Sequence, residues 1–85
     1  ILNDTSKISK LISFLLFCSN KFGLRDEKGL KINLELTHKS ISDSIGSSRL
    51  TITRQLRKLK ELGLISIENK NIIIKNLKEF KKNNH

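Results

Sequence analysis

The chain lacks proline, tryptophan, tyrosine and methionine altogether, and it holds one cysteine and four glycines in 85 residues. A single cysteine excludes an internal disulfide, and the apolar setting of Cys18 suits a buried thiol in a reducing compartment. The missing residue types, beside abundant lysine, asparagine and isoleucine, fit an AT-rich coding sequence of the kind carried by many plastids and some bacteria. Long apolar runs are also missing. The longest, ISFLLF, follows Lys7 and Lys10 in an amphipathic pattern and falls far short of the roughly 20 residues that span a bilayer, so no membrane segment and no signal peptide are read. No carboxylate pair, metal-ligand cluster, phosphate-cradling glycine loop or catalytic triad is evident, which argues against an enzyme and against a cofactor in this stretch. Acidic residues are scarce, 8 against 17 basic ones for a formal charge of +9. That balance calls for an anionic partner, nucleic acid or an acidic membrane.

At this length the chain makes one domain, residues 1–85, able to bury only about 60% of the surface its unfolded form exposes. Its first residue, Ile1, fits a piece cut from a longer protein. Asp4, Thr5 and Ser6 are candidate caps for a helix reaching Asn20 or Phe22, with Ile8, Leu11, Ile12, Leu15, Cys18 and Phe22 as its buried stripe. Phe14, Leu16 and Phe17 widen that stripe, so the helix is expected to pack on more than one side, as a core helix of this domain or, alternatively, with Phe14 or Phe17 facing a further domain or a partner subunit. Residues 23–29 are polar and bounded by glycines, which predicts a loop. From Leu30 to Leu36 apolar and polar residues alternate with period two, which predicts a half-buried strand needing a partner strand. The tail is expected to begin as a brief helix around Leu77 and Phe80 and to fray over residues 81–85.

The most informative stretch is residues 37–63, THKSISDSIGSSRLTITRQLRKLKELG. Thr37 caps a short helix from His38 to Ile45 that buries Ile41 and Ile45. Gly46 can take positive φ and turn the chain at once into a second helix, residues 48–62, capped by Ser48 and stopped by Gly63. At 100° per residue, Ile52, Leu56 and Leu59 share one side and Leu62 lies at its margin. The other side carries Leu50, Thr53, Arg54, Arg57 and Glu61, with Arg49 at the entrance. A leucine opposite the buried stripe and between two arginines is out of place on a solvated surface. Arginine can grip a guanine edge with two hydrogen bonds and an apolar side chain can lie on a thymine methyl, so Arg49, Leu50 and Arg54 are the candidate base readers in a major groove. Residues 64–75 follow as two β-branched runs around Asn69 and Lys70, a hairpin beside the second helix with Lys70 at its tip, placed for a phosphate. Ile65, Ile67, Ile72 and Ile74 are its expected core-facing residues. His38, exposed at its helix start, is a surface residue or a phosphate contact and has no nucleophile or carboxylate to serve as a catalytic base.

The segments LISFLLFCSNKFG and LELTHKSISDSIGSSRLTITRQLRKLKELGLISI, with the pattern L-T-H-x-x-I-x-x-x-I-G-x-S-R-x-T-x-x-R, resemble the DNA-binding domain of the Crp–Fnr regulators. Within that family the likeness is greatest to the nitrogen-control branch of cyanobacteria and its red-algal plastid relatives. The resemblance implies a winged helix-turn-helix, mainly α with small β hairpins (α+β), in a homodimeric transcription factor that contacts RNA polymerase and reads a palindrome. It implies base reading by Arg49 and Arg54 and backbone contacts from Thr37, Ser48 and Thr51, with His38 at a position that often touches the backbone. Thr53, Arg57 and Lys70 complete the candidate backbone set. Members that read a GTGA half-site carry glutamate after the first arginine. Leu50 stands there instead, in agreement with a shorter GTA-type half-site. The effector domain of the family would precede Ile1, so its ligand, 2-oxoglutarate in the nitrogen-control branch, is outside these residues. The implied compartment is a bacterial cytoplasm or a plastid stroma. A protein–protein module on the same scaffold, anchored by Leu50, is the alternative; an RNA binder is disfavoured because the few phenylalanines sit in apolar stripes rather than on stacking platforms.

Overall fold

The computed structural model describes residues 2–82, with side chains from residue 8 onward. Helix α1 spans Leu2–Phe22, so Asp4, Thr5 and Ser6 lie inside a helix that is already under way and are not its caps. Leu11, Ile12, Leu15 and Cys18 are buried, and Ile8, Phe14 and Leu16 pack partly against the same core. Phe22 leaves the predicted stripe at 44% exposed, because the chain turns out of the helix at Gly23 and the core stops one turn earlier. Phe17 is exposed too, with the Lys21 ammonium 5.5 Å from its ring centroid.

Residues 23–29 form no loop. They build strand β1 (Gly23–Asp26) and a tight turn at Glu27 and Lys28 into β2 (Gly29–Ile32). The polar side chains that suggested a loop are tolerated because β1 is an edge strand, and charged side chains are at home there. The predicted strand over residues 30–36 is correspondingly cut short. Asn33 donates its N–H back to the Phe22 carbonyl at 2.8 Å, and Leu34 donates to the Ile32 carbonyl at 2.8 Å, a three-residue γ-turn that ends the ladder. Strands β3 (Ile65–Glu68) and β4 (Asn71–Ile74) then complete one antiparallel sheet in the order β1-β2-β4-β3. The partner required by the lone strand is therefore the C-terminal hairpin: Leu30 pairs with Ile74 and Lys31 with Ile73. Gly29 makes that junction possible, since a Cβ there would sit 2.2 Å from the Ile74 carbonyl oxygen.

Ile32, Ile65, Ile72 and Ile74 turn one face of the sheet into the core formed with α1, α2 (His38–Ile45) and α3 (Arg49–Glu61). Ile67, expected to join them, is 40% exposed because it lies toward the hairpin tip, beyond the helices; Ile73, on the opposite face by strand alternation, is buried instead. Lys28 at the β1–β2 turn is ion-paired with Glu68 of β3, and the hydrogen bond and charge of Glu68 hold its ammonium above the ordinary lysine value. Helix α4 (Leu77–Lys82) closes the core with buried Phe80, and Asn76 accepts the Glu79 N–H at its start. Fraying was expected from residue 81, yet α4 runs on through Lys82; residues 83–85 lie outside the described residues. Among the described residues no helix is long and apolar enough to cross a membrane.

Candidate nucleic-acid interface

Two capped helices and one left-handed glycine set the geometry of the site. Thr37 holds extended backbone and its hydroxyl accepts the Ser40 N–H at 3.0 Å, while Ser40 Oγ accepts the Thr37 N–H at 3.0 Å. This reciprocal box satisfies two backbone donors, with serine in the place usually taken by glutamate. Gly46 ends α2 at φ 70° and ψ 40°, a region that costs an L-residue roughly 1–2 kcal/mol. Two residues later Ser48 caps α3, its Oγ accepting the Thr51 N–H at 3.1 Å. The helix proper is Arg49–Glu61, with Ser48 and Leu62 as its flanking caps, one residue inside the predicted span at each end. Ile41 from α2 and Ile52, Leu56 and Leu59 from α3 are buried, whereas Ile45 is only half-buried. That apolar seam leaves the opposite side of α3 facing outward.

On that side Arg49, Leu50, Arg54 and Arg57 are all exposed, and Leu50 reaches 64%. Among the described residues no acidic group pairs with Arg49, Arg54 or Arg57; the ion pairs belong to Lys28, Lys39, Lys70 and Lys82. Three uncompensated guanidinium groups and an uncovered leucine therefore share one helical surface. Thr51 is half-buried, and Ser48 Oγ lies 2.9 Å from its Oγ1 as a hydrogen-bond donor. The Thr37 hydroxyl is engaged as an acceptor by its own helix, which leaves its proton and one lone pair for a further partner.

The hairpin tip is a two-residue turn in which Asn69 (φ 51°) and Lys70 (φ 69°) both take left-handed conformations, the type I′ geometry that matches strand twist. Lys70 projects from it, exposed and only loosely approached by Glu35 at 4.0 Å. Glu35 was not foreseen there, because only the shortening of β2 brings the segment after it toward the tip. His38 also differs from expectation. It is half-buried rather than exposed, with Nδ1 2.7 Å from Thr53 Oγ1, so two residues assigned separately to the DNA backbone are bonded to one another across α2 and α3. Nothing in their sequence spacing signals that contact; it depends on the angle between the helices. Elsewhere the described residues hold no cluster of three metal-ligating side chains, and burial pushes the Cys18 thiol above its ordinary pKa.

Comparison with known proteins fits this geometry. A family model for the Crp-like helix-turn-helix domain matches residues 9–82. The chain is 44% identical over 68 residues to the global nitrogen regulator of Synechocystis sp., covering 80% of this chain and 30% of that protein. To ycf28 of Porphyra purpurea, named as an HTH-type transcriptional regulator, it is 39% identical over 74 residues, covering 87% of this chain and 31% of the relative. The chain thus spans less than a third of the length of these relatives. Its fold also superposes on part of the CO-dependent transcription factor CooA from Carboxydothermus hydrogenoformans with a TM-score of 0.88, at 24% identity, over 99% of this chain and 39% of that one. The family match over residues 9–82, the 44% identity to a global nitrogen regulator and the cluster of unpaired arginines on the second helix of the motif lead to one conclusion: the chain belongs to the Crp-like helix-turn-helix domain family of transcription regulators.

Proposed function

We propose that this domain binds double-stranded DNA sequence-specifically, with α3 in the major groove. The carrying observation is Leu50, 64% exposed between Arg49 and Arg54, neither of which has an acidic partner among the described residues. Two guanidinium forks can take the paired acceptors of guanine, and the leucine can cover a thymine methyl. A solvated helix gains nothing from that arrangement. The backbone set we propose is Thr37, His38, Ser48, Thr51, Arg57 and Lys70, with Thr53 behind it, bonded to His38. Leucine cannot accept a hydrogen bond from cytosine as glutamate does, which supports a GTA-type half-site over GTGA.

The name of one relative points to nitrogen-responsive transcription, and we extend the proposal to a homodimer whose two recognition helices lie about 34 Å apart on a palindrome, to contact with RNA polymerase, and to a bacterial cytoplasm or a plastid stroma. One titration tests the DNA reading. The chain is measured against a GTA-type palindrome, a scrambled duplex and a structured RNA at several salt concentrations. Arg49→Ala loses about 1–3 kcal/mol on the palindrome and most of the preference over the scramble, while Lys70→Ala weakens both duplexes equally and lowers the salt slope by about one. Equal binding to palindrome and scramble, unchanged by Arg49→Ala, would point instead to a protein partner on Leu50.

A further inference from the structure

The contact between His38 and Thr53 has chemistry that a pair of independent phosphate contacts would not need. Nδ1 of His38 lies 2.7 Å from Thr53 Oγ1. A neutral imidazole carries one donor and one acceptor nitrogen, and whichever role the first takes dictates the role of the other. Nε2 has no protein partner among the described residues, and it is not among the buried side-chain atoms left without one, so it is open to solvent. The Thr53 hydroxyl, for its part, makes no hydrogen bond to the carbonyl one turn earlier in α3, the usual local sink for a helical threonine proton. Its proton is free to be given to the ring.

We infer that Thr53 is a positioning residue: its hydroxyl donates to Nδ1 of His38 and so keeps the proton on Nε2, presenting a fixed N–H donor to a phosphodiester oxygen of bound DNA. Two consequences distinguish this from a direct Thr53–phosphate contact. The neutral ring is held in one tautomer before DNA arrives, and the Oγ1 of Thr53 faces α2 rather than the duplex. The arrangement parallels the way a carboxylate or carbonyl behind a metal-bound histidine sets which nitrogen is presented. Here the presented group is a donor and its target an anion. The contact is to backbone, so it adds affinity without sequence preference. This inference rests on the DNA reading above only for its target; the tautomer itself belongs to the free protein.

The experiment has one arm without DNA and one with it. Ring nitrogen NMR of the free chain in alkaline buffer, about two pH units above the ordinary range for a free imidazole, is expected to show His38 with the proton on Nε2 and an acceptor-type Nδ1. Thr53→Ser keeps that pattern; Thr53→Val, nearly isosteric, relaxes it toward a tautomer mixture with a mobile ring. In the DNA arm His38→Ala weakens palindrome and scramble by about tenfold each, the loss of one hydrogen bond to a charged acceptor. Thr53→Val costs about threefold through the smaller competent fraction, Thr53→Ser restores binding, and the double variant is no weaker than His38→Ala alone. A wild-type ring protonated on Nδ1, or a Thr53→Val loss that persists undiminished in the His38→Ala background, overturns the inference. If the NMR pattern holds and Arg49→Ala still weakens palindrome binding while His38→Ala does not, the phosphate contact is overturned; if the chain shows no duplex preference at all, the DNA reading is what fails and the tautomer stands on the NMR arm alone.

Discussion

Leu50→Ala separates the two kinds of apolar residue on α3 more cleanly than any other single change. Fully burying a leucine side chain is worth about 1.5–3 kcal/mol, and with Leu50 64% exposed about two-thirds of that is still available to a partner, roughly 1–2 kcal/mol. Alanine keeps the Cβ, so the expected loss on a GTA-type palindrome is about 1–1.5 kcal/mol, a five- to tenfold weaker Kd. Folding stability should stay within about 0.5 kcal/mol, as for surface substitutions in general. Ile52→Ala, two residues along and wholly buried, should behave in the opposite sense, losing about 2–5 kcal/mol of stability through the cavity it leaves. Fluorescence anisotropy with a labelled duplex reads the first quantity, and urea unfolding followed by circular dichroism reads the second. A Leu50→Ala domain that melts early, or one that binds the palindrome as tightly as the parent, would refute the claim that nucleobases complete the surroundings of this side chain.

Further consequences follow from single positions. Leu50→Glu places a carboxylate acceptor between Arg49 and Arg54 and should shift preference from GTA-type towards GTGA-type duplexes, read by competition between the two; unchanged ranking would remove Leu50 from the base-reading set. Gly46→Ala meets open space, so its cost is backbone strain alone, about 1–2 kcal/mol in urea unfolding, with no loss of DNA preference in the folded fraction. Gly29→Ala drives a Cβ against the Ile74 carbonyl and should cost more than Gly46→Ala in the same assay, since both φ and space oppose it. Burial raises the Cys18 pKa above the unfolded value near 9.0, so the fold favours the neutral thiol. Stability from this group is intact below pH 9.0 and falls as pH climbs above it, a decline that Cys18→Ser or Cys18→Ala should abolish.

The helix-turn-helix was legible because local chemistry dictates it. Thr37, Gly46 and Ser48 each act within three or four residues of themselves, and the 3.6-residue spacing of Ile52, Leu56 and Leu59 needs no knowledge of the remaining chain. The hairpin at Asn69 and Lys70 could be read for the same reason. What escaped depended on neighbours distant in sequence. GLRDEKG has the composition of a loop, and only pairing with residues 29–32 makes its first four residues a strand. Phe22 and Ile67 satisfy the periodicity of their elements, yet the core ends before it reaches either. His38 and Thr53 looked like separate surface groups because nothing in one dimension fixes the crossing of α2 over α3.

β2 is hydrogen-bonded to β1 on one side and to β4 on the other, so the wing is no free flap. Its strands continue a plank that starts at the end of α1 and is clamped across its width by the Lys28–Glu68 pair. A rotation of α1 would therefore carry α3 and the wing with it as one block.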